Sequence, residues 1–134
     1  MTREEKNLVL QDICARLPYH VICKITYTDV YEDGSIKKTR RDTYLTCDYL
    51  DDYIEGNAEC KPYLRPMSSM TEEEKKEYQS LCEIHIEHDA DDNVTYYYFD
   101  TIESFNWLNK KMFDYRGLIP NLALSTEEFN PYKE

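Results

Sequence analysis

The chain has 134 residues, of which 32% are charged, and its formal net charge is −11. This length suits one domain, and a hydrophobic fraction of 41% that includes 13 tyrosines excludes wholesale disorder. The excess of acidic side chains disfavours binding to DNA or RNA, because lysines and arginines must neutralise the phosphates. No apolar run is long enough for a membrane helix, so we expect no membrane partner.

The cysteines and the N-terminus predict an intracellular protein. The opening residues are acidic and polar, unlike a secretion signal. The cysteines are odd in number, and their spacing fits neither a zinc site nor a disulfide framework. They are expected to be reduced thiols: Cys14, Cys23, Cys47, Cys60 and Cys82.

The first elements along the chain are a helix and a β-hairpin. Thr2 and Glu5 have the spacing of a capping box, and Pro18 ends the helix that follows. Alternating apolar residues then predict a strand, and an Asp-Gly turn at Gly34 makes it the first strand of a hairpin over about 19–46.

The middle of the chain predicts two helices and a connector. Asp48 caps a short helix that Gly56 ends. The prolines of 61–66 restrict the residues before them, so this segment is expected to be an extended, rigid connector. Thr71 begins a polar helix over about 71–82.

The last third predicts a second hairpin, a helix and a tail. Alternation over about 83–99 indicates two strands joined by an acidic loop. A helix follows to about Phe113, and 125–134 is expected to be a flexible acidic tail. The apolar stripe of this helix is predicted to consist of Ile102, Phe105, Leu108 and Met112.

Strands that come in antiparallel pairs favour an α+β fold. We expect a single domain over 1–134, with one antiparallel sheet built from the two hairpins, about 19–46 and 83–99, and covered by three to four helices.

The residues offer little support for catalysis. The densest set of metal-ligand types is His85, His88, Asp89, Asp91 and Asp92. The two histidines fall on opposite faces of a strand, and the loop lacks the pattern of a calcium site. The chain also lacks a glycine-rich phosphate loop and any pattern joining a cysteine to a histidine. The prediction is a non-enzymatic protein with no catalytic residues, cofactor or metal; a metal-dependent enzyme is the least favoured alternative.

Two surface features suggest binding. Tyr96 and Tyr98 share one face of the second hairpin and are the predicted anchors for a protein partner, with steering charge from Asp89, Asp91 and Asp92. Phe99, which lacks a hydroxyl, is expected to mark the buried face. An alternative site for an anionic nucleotide or metabolite is the basic run Lys37, Lys38, Arg40 and Arg41.

Two segments resemble a set of small uncharacterised proteins encoded by gut Bacteroidales bacteria and their phages and mobile elements. They are KPYLRPMSSMTEEE at 61–74 and FNWLNKKMFDYRGLI at 105–119. The resemblance covers about 30 residues and implies an accessory protein in the cytoplasm of a bacterial host, with no named reaction.

The acidity and the surplus of tyrosines predict a protein-binding module whose partner has a basic surface. Inhibition of a host or defence protein is one form that such binding takes. A small-ligand binding protein is the alternative, and the sequence leaves the oligomeric state open.

Overall fold

A computed structural model describes residues 1–133, and within them the chain forms four α-helices and six strands. The helices span Arg3–Arg16 (α1), Cys47–Glu55 (α2), Glu72–Leu81 (α3) and Ile102–Lys110 (α4). The strands span Ile22–Val30 (β1), Ile36–Tyr44 (β2), Ala58–Leu64 (β3), Glu83–His88 (β4), Val94–Phe99 (β5) and Leu124–Ser125 (β6). The predicted α+β class is confirmed.

The capping residues account for the helix starts. The Thr2 hydroxyl accepts the Glu5 amide, and the Glu5 carboxylate accepts the Thr2 amide. Thr71 opens α3 through the same reciprocal pair with Glu74. The cap of α2 is Thr46, one position before its first residue, and not Asp48 as predicted.

Four strands form the main sheet, in the order β2-β1-β3-β6. Strand β1 is antiparallel to both β2 and β3, whereas β6 is parallel to β3. The predicted turn joins β1 to β2, and Gly34 has a φ of 85° there, which glycine adopts without strain. The core side of β1 presents Cys23 and Ile25 to Val9 and Ile13 of α1.

The segment 61–66 is extended, as predicted, but it is not a connector. Residues up to Leu64 belong to β3, which pairs with β1. A proline is tolerated at Pro62 because β6 pairs only with Tyr63 and Leu64, which leaves the rest of β3 as an edge strand.

A buried ionic cluster joins α1 to the segment after α4. The Arg16 guanidinium donates to both carboxylate oxygens of Asp12 at 3.0 Å and to the Phe113 carbonyl at 2.6 Å. Arg116 adds a bond of 2.8 Å to Asp12. Asp12 and Arg16 are completely buried. The face of α1 that packs on the core therefore carries two opposite charges, which neutralise each other.

The face of α4 that packs agrees with the predicted stripe only in part. Trp107 and Leu108 are buried with Phe113, whereas Ile102 is 78% exposed. The helix ends at Lys110, so Met112 lies beyond it, in the left-handed region with a φ of 63°. Leu108 and Met112 are buried as predicted, but Phe105 is 39% exposed, so the buried face of the helix lies toward Ser104 and Trp107.

The two predicted hairpins lie in separate sheets. Strands β4 and β5 form a two-stranded sheet of their own, and every residue in them is exposed. Alternation of apolar and polar residues predicts strand pairing, but it does not require a neighbouring element to cover the apolar face.

The segment 125–133, predicted as part of a flexible acidic tail, lies against the main sheet. The Tyr132 hydroxyl accepts the Ile22 amide at 3.0 Å and donates to the Tyr63 carbonyl at 2.9 Å. Phe129 packs edge-on against the ring of Tyr63, with 5.7 Å between ring centroids.

Candidate functional site

The β4–β5 hairpin has one mostly apolar face, which we call the isoleucine–tyrosine face. The register places Ile84 opposite Tyr98 and Ile86 opposite Tyr96, with Val94 at the end of the same face. These five side chains are 43–58% exposed. Isoleucine and valine at this exposure, side by side across two strands, form a continuous apolar surface and not scattered exposed residues.

The opposite face is also open. It carries His85 opposite Tyr97, with ring centroids 6.2 Å apart, and an exposed contact of 3.2 Å between His85 and Glu87. Phe99 lies on this face and is 54% exposed. The expectation that Phe99 marks a buried face is therefore wrong, because nothing in residues 1–133 covers either side of the hairpin.

The aspartates of the acidic loop between the strands have two different roles: one holds the loop together and two are exposed to solvent. The Asp89 carboxylate accepts the backbone amides of Asn93 at 2.9 Å and Asp91 at 2.8 Å, and the Asn93 side-chain amide at 3.1 Å. These bonds, led by that of the Asn93 amide, lower the pKa of Asp89. Asp91 and Asp92 are exposed and make no side-chain hydrogen bond or ion pair within the described part of the chain.

The charge around the hairpin has one sign. From Glu77 to Asn109 the sequence contains no lysine or arginine. The carboxylates of this stretch are Glu77, Glu83, Glu87, Asp89, Asp91, Asp92, Asp100 and Glu103. The hairpin therefore combines an apolar face with an acidic perimeter, a composition that matches a basic partner surface.

The histidines and cysteines do not assemble a reactive centre among residues 1–133. No group of three or more His, Cys, Asp or Glu side chains there is placed to hold a metal ion. The unbroken register keeps His85 and His88 on opposite faces. All five cysteines are free, and burial raises the pKa of Cys60 to about 12 and that of Cys23 well above its ordinary value. Thiols in such surroundings stay protonated and are poor nucleophiles.

The basic run of β2 is divided between two faces. Lys37 and Arg41 are on the side of the sheet that faces the core and α2, where Arg41 donates to the Tyr49 hydroxyl at 3.1 Å. Lys38 and Arg40 are on the other side, beside Lys24 of β1 and Lys61 of β3, around a cavity of about 230 Å³. The four predicted cations thus do not converge, and two of them join two lysines outside the run.

Sequence reasoning missed Lys24 and Lys61. Lys24 occupies a polar position in the alternation of β1, which was a usable signal. Lys61 lies in a segment whose prolines predict a connector, so the sequence does not indicate that it lies across from Lys24.

A larger cavity, of about 470 Å³, is lined in part by Arg65, Lys110, Lys111 and Tyr132. Two of its polar groups already serve the fold. Arg65 forms two bonds of 2.7 Å with Glu74, and the Tyr132 hydroxyl is bonded to the main sheet. Few groups are left free to recognise a ligand, so this cavity is a weaker candidate than the two surfaces above.

The chain matches no family model, no curated protein and no solved structure with which it was compared. The longest helix of residues 1–133 has 14 residues, and none offers the apolar span that a bilayer demands. The geometry of the hairpin and of the main sheet is therefore the basis for assigning a function.

Proposed function

We propose that this protein is a non-enzymatic binding module whose β4–β5 hairpin docks on a partner protein with a basic surface. One observation carries the proposal: the isoleucine–tyrosine face is exposed along its whole length in a two-stranded sheet that nothing in residues 1–133 covers. An isolated two-stranded hairpin is marginally stable in water, and covering its apolar face stabilises it.

The hairpin supplies two complementary kinds of contact. Tyr96 and Tyr98 are large and rigid, and each carries a hydroxyl at the end of an apolar ring, which is typical of residues that anchor interfaces. The carboxylates of Asp91 and Asp92 are free to attract a basic surface. Asp89 belongs to the proposed site through the loop that it holds in shape.

A basic partner is favoured over a second copy of this chain. Two copies that met through their hairpins would bring acidic perimeters together, and like charges across an interface oppose association. The resemblance of 61–74 and 105–119 to Bacteroidales phage and mobile-element proteins supports an accessory role in the host cytoplasm, with inhibition of a host or defence protein as the consequence of binding.

The test compares two faces of the same hairpin. Tagged wild-type protein, a Tyr96→Ala/Tyr98→Ala variant and a Tyr97→Ala control are used to capture proteins from a Bacteroidales lysate, and affinity for the captured protein is then measured. Truncating the two anchors should weaken binding by about 2 kcal/mol or more, whereas the control should retain wild-type affinity.

Two further measurements keep the result interpretable. Urea unfolding of each variant should match the wild type, because the three rings are already exposed. Light scattering of the protein alone should give the mass of one chain. Equal affinity of all variants, or a dimer that the double variant dissociates, would refute docking of a basic partner on this face.

A further inference from the structure

The main sheet carries a cluster of four cations, which we call the lysine face: Lys24, Lys38, Arg40 and Lys61. It lies on the side of the sheet away from the core, around the cavity of about 230 Å³. Phe129 of the C-terminal segment packs on Tyr63 at one end of this side, whereas Tyr132 packs against the core. The cations remain accessible.

The register forces like charges together. Lys24 of β1 lies directly opposite Lys61 of β3, and like charges at directly opposed positions destabilise a sheet. On its other side Lys24 lies opposite Asp42, whose carboxylate accepts the Tyr63 hydroxyl at 2.7 Å and forms no ion pair with either lysine. The sheet therefore keeps two lysines at directly opposed positions, and no ion pair within residues 1–133 offsets their repulsion.

The cations also lack partners within the protein. None of the four forms an ion pair or a side-chain hydrogen bond with another residue of the 133 described. Glu59 lines the same cavity without approaching any of them to ion-pair distance. Against the four cations this face of β1, β2 and β3 presents the two carboxylates of Asp42 and Glu59, so its net charge is positive in a chain whose net charge is −11.

We propose that the lysine face binds a small polyphosphate, the group carried by pyrophosphate and by nucleoside di- and triphosphates. Lysine and arginine donate charge-assisted hydrogen bonds to phosphate oxygens. Thr26, which lines the cavity opposite Arg40, adds a hydroxyl donor.

A small anion fits this site better than a nucleic acid. The patch is confined to one cavity, and the rest of the chain carries the large acidic excess. An extended phosphate backbone would meet that acidic surface beyond the patch and be repelled, whereas a compact polyphosphate is held entirely within it. This inference goes beyond the proposed function, because its residues belong to the main sheet and not to the hairpin.

Calorimetric titration with inorganic pyrophosphate at low salt tests the proposal, with tripolyphosphate and a single-stranded oligonucleotide as further arms. A Lys24→Gln/Lys61→Gln variant should bind pyrophosphate at least about tenfold more weakly than the wild type. Lys38→Gln should also weaken binding. Lys37→Gln is the matched control, since its side chain is adjacent in sequence but on the other face, and it should bind as the wild type does.

Urea unfolding without ligand is a second measurement, in which the double variant is expected to change in the opposite direction from its affinity. Removing the Lys24–Lys61 repulsion should raise the urea midpoint of the double variant above that of the wild type while its phosphate affinity falls. A lower midpoint would show that the lysines stabilise the sheet and would overturn the argument from repulsion. No heat with pyrophosphate at millimolar concentration, equal loss in the Lys37→Gln control, or tighter binding of the oligonucleotide would each overturn the proposed site.

Discussion

The two β-hairpins of this protein are similar in sequence pattern and opposite in environment. Both pair antiparallel strands across a turn that contains aspartate, and the first strand of each, β1 or β4, alternates apolar and more polar side chains. The β1–β2 hairpin joins a four-stranded sheet and presents Cys23 and Ile25 to α1, where they are completely buried. The β4–β5 hairpin stands as its own sheet, with Ile84 and Ile86 about half exposed.

The difference between the two hairpins shows which of their features depend on local sequence and which depend on tertiary packing. Pairing and turn geometry depend on nearby residues, so both hairpins form with the expected partners. Cover for the apolar face depends instead on how the adjacent helices pack in three dimensions, and within residues 1–133 only the first hairpin receives it, from α1 and α2. An apolar face that the chain itself leaves open is available to another molecule.

The largest expected effect comes from the cluster that holds α1 above the first hairpin. Asp12→Ala leaves the buried Arg16 guanidinium without its counter-charge, and we expect it to lower the free energy of unfolding by about 3–5 kcal/mol. Asp91→Ala, in the exposed loop of the second hairpin, is the matched control and should change little. Urea unfolding measures both, and a loss below about 1 kcal/mol for Asp12→Ala would mean that water reaches the cluster.

A pair of isoleucines compares the hairpins directly. Ile25→Ala removes a fully buried side chain from β1 and should cost about 2–5 kcal/mol in urea unfolding. The same change at Ile86, which is 50% exposed in β4, should cost less than about 1 kcal/mol. Similar losses at both positions would show that the second hairpin is covered in solution, by a contact absent from residues 1–133.

A smaller effect is expected where α3, which precedes the second hairpin, is tied to the end of β3. The hydrogen bonds from Arg65, both 2.7 Å, lower the pKa of Glu74 to about 2. Because the folded pKa lies below the ordinary value, the pair stabilises the protein above about pH 4.5, and its contribution is lost as the pH falls toward 2. Glu74→Gln should cost about 1 kcal/mol at pH 7.

The pH dependence of stability distinguishes the contribution of the Arg65–Glu74 pair from that of other charged groups. The difference in urea midpoint between wild type and Glu74→Gln should shrink steadily between pH 5 and about pH 2, because protonation of Glu74 has the same consequence as the substitution. A difference that stays constant over this range would mean that the charge of Glu74 does not contribute to stability, because the packing of Arg65 on the Phe113 ring, 4.2 Å away, is present in both proteins.

Elements with local signals were predictable from the sequence. The Thr2 and Thr71 capping boxes, the turn at Gly34 and the hairpin over 83–99 all depend on residues within a few positions of one another. The placement of β3 was not predictable in this way. Pro62 and Pro66 are typical of a connector, and only the pairing with β1, about 40 residues earlier in the chain, makes the segment a strand.

The two candidate sites also differ in how far they could be predicted from residues that are close together in the sequence. That Tyr96 and Tyr98 share a face follows from alternation alone, and the register agrees. The lysine face combines residues of three strands, and its central contact between Lys24 and Lys61 requires the long-range register. The buried pair of Asp12 and Arg16 had a helical spacing, but the sequence did not reveal that Arg116 reaches the same carboxylate.

The smallest expected effect concerns the two turns, each of which is closed by an aspartate. The Asp33 carboxylate accepts the Ser35 hydroxyl at 2.6 Å and the Ser35 amide at 2.9 Å, and these bonds lower its pKa as the bonds from Asn93 and Asp91 lower that of Asp89. Carboxyl carbon shifts followed by NMR should therefore titrate below the ordinary value of 3.8 at both positions. Asn93→Ala removes one donor to Asp89 and should raise only that pKa, with Asp33 as the internal reference.

Since both folded pKa values are lowered, each turn is stabilised above about pH 4 and loses that contribution as the pH falls. In the second hairpin the loss should be visible as exchange broadening confined to β4 and β5, because no core holds those strands in place. If Asp89 titrated at the ordinary value in the wild type, the loop would not hold the shape that presents Asp91 and Asp92 to a partner.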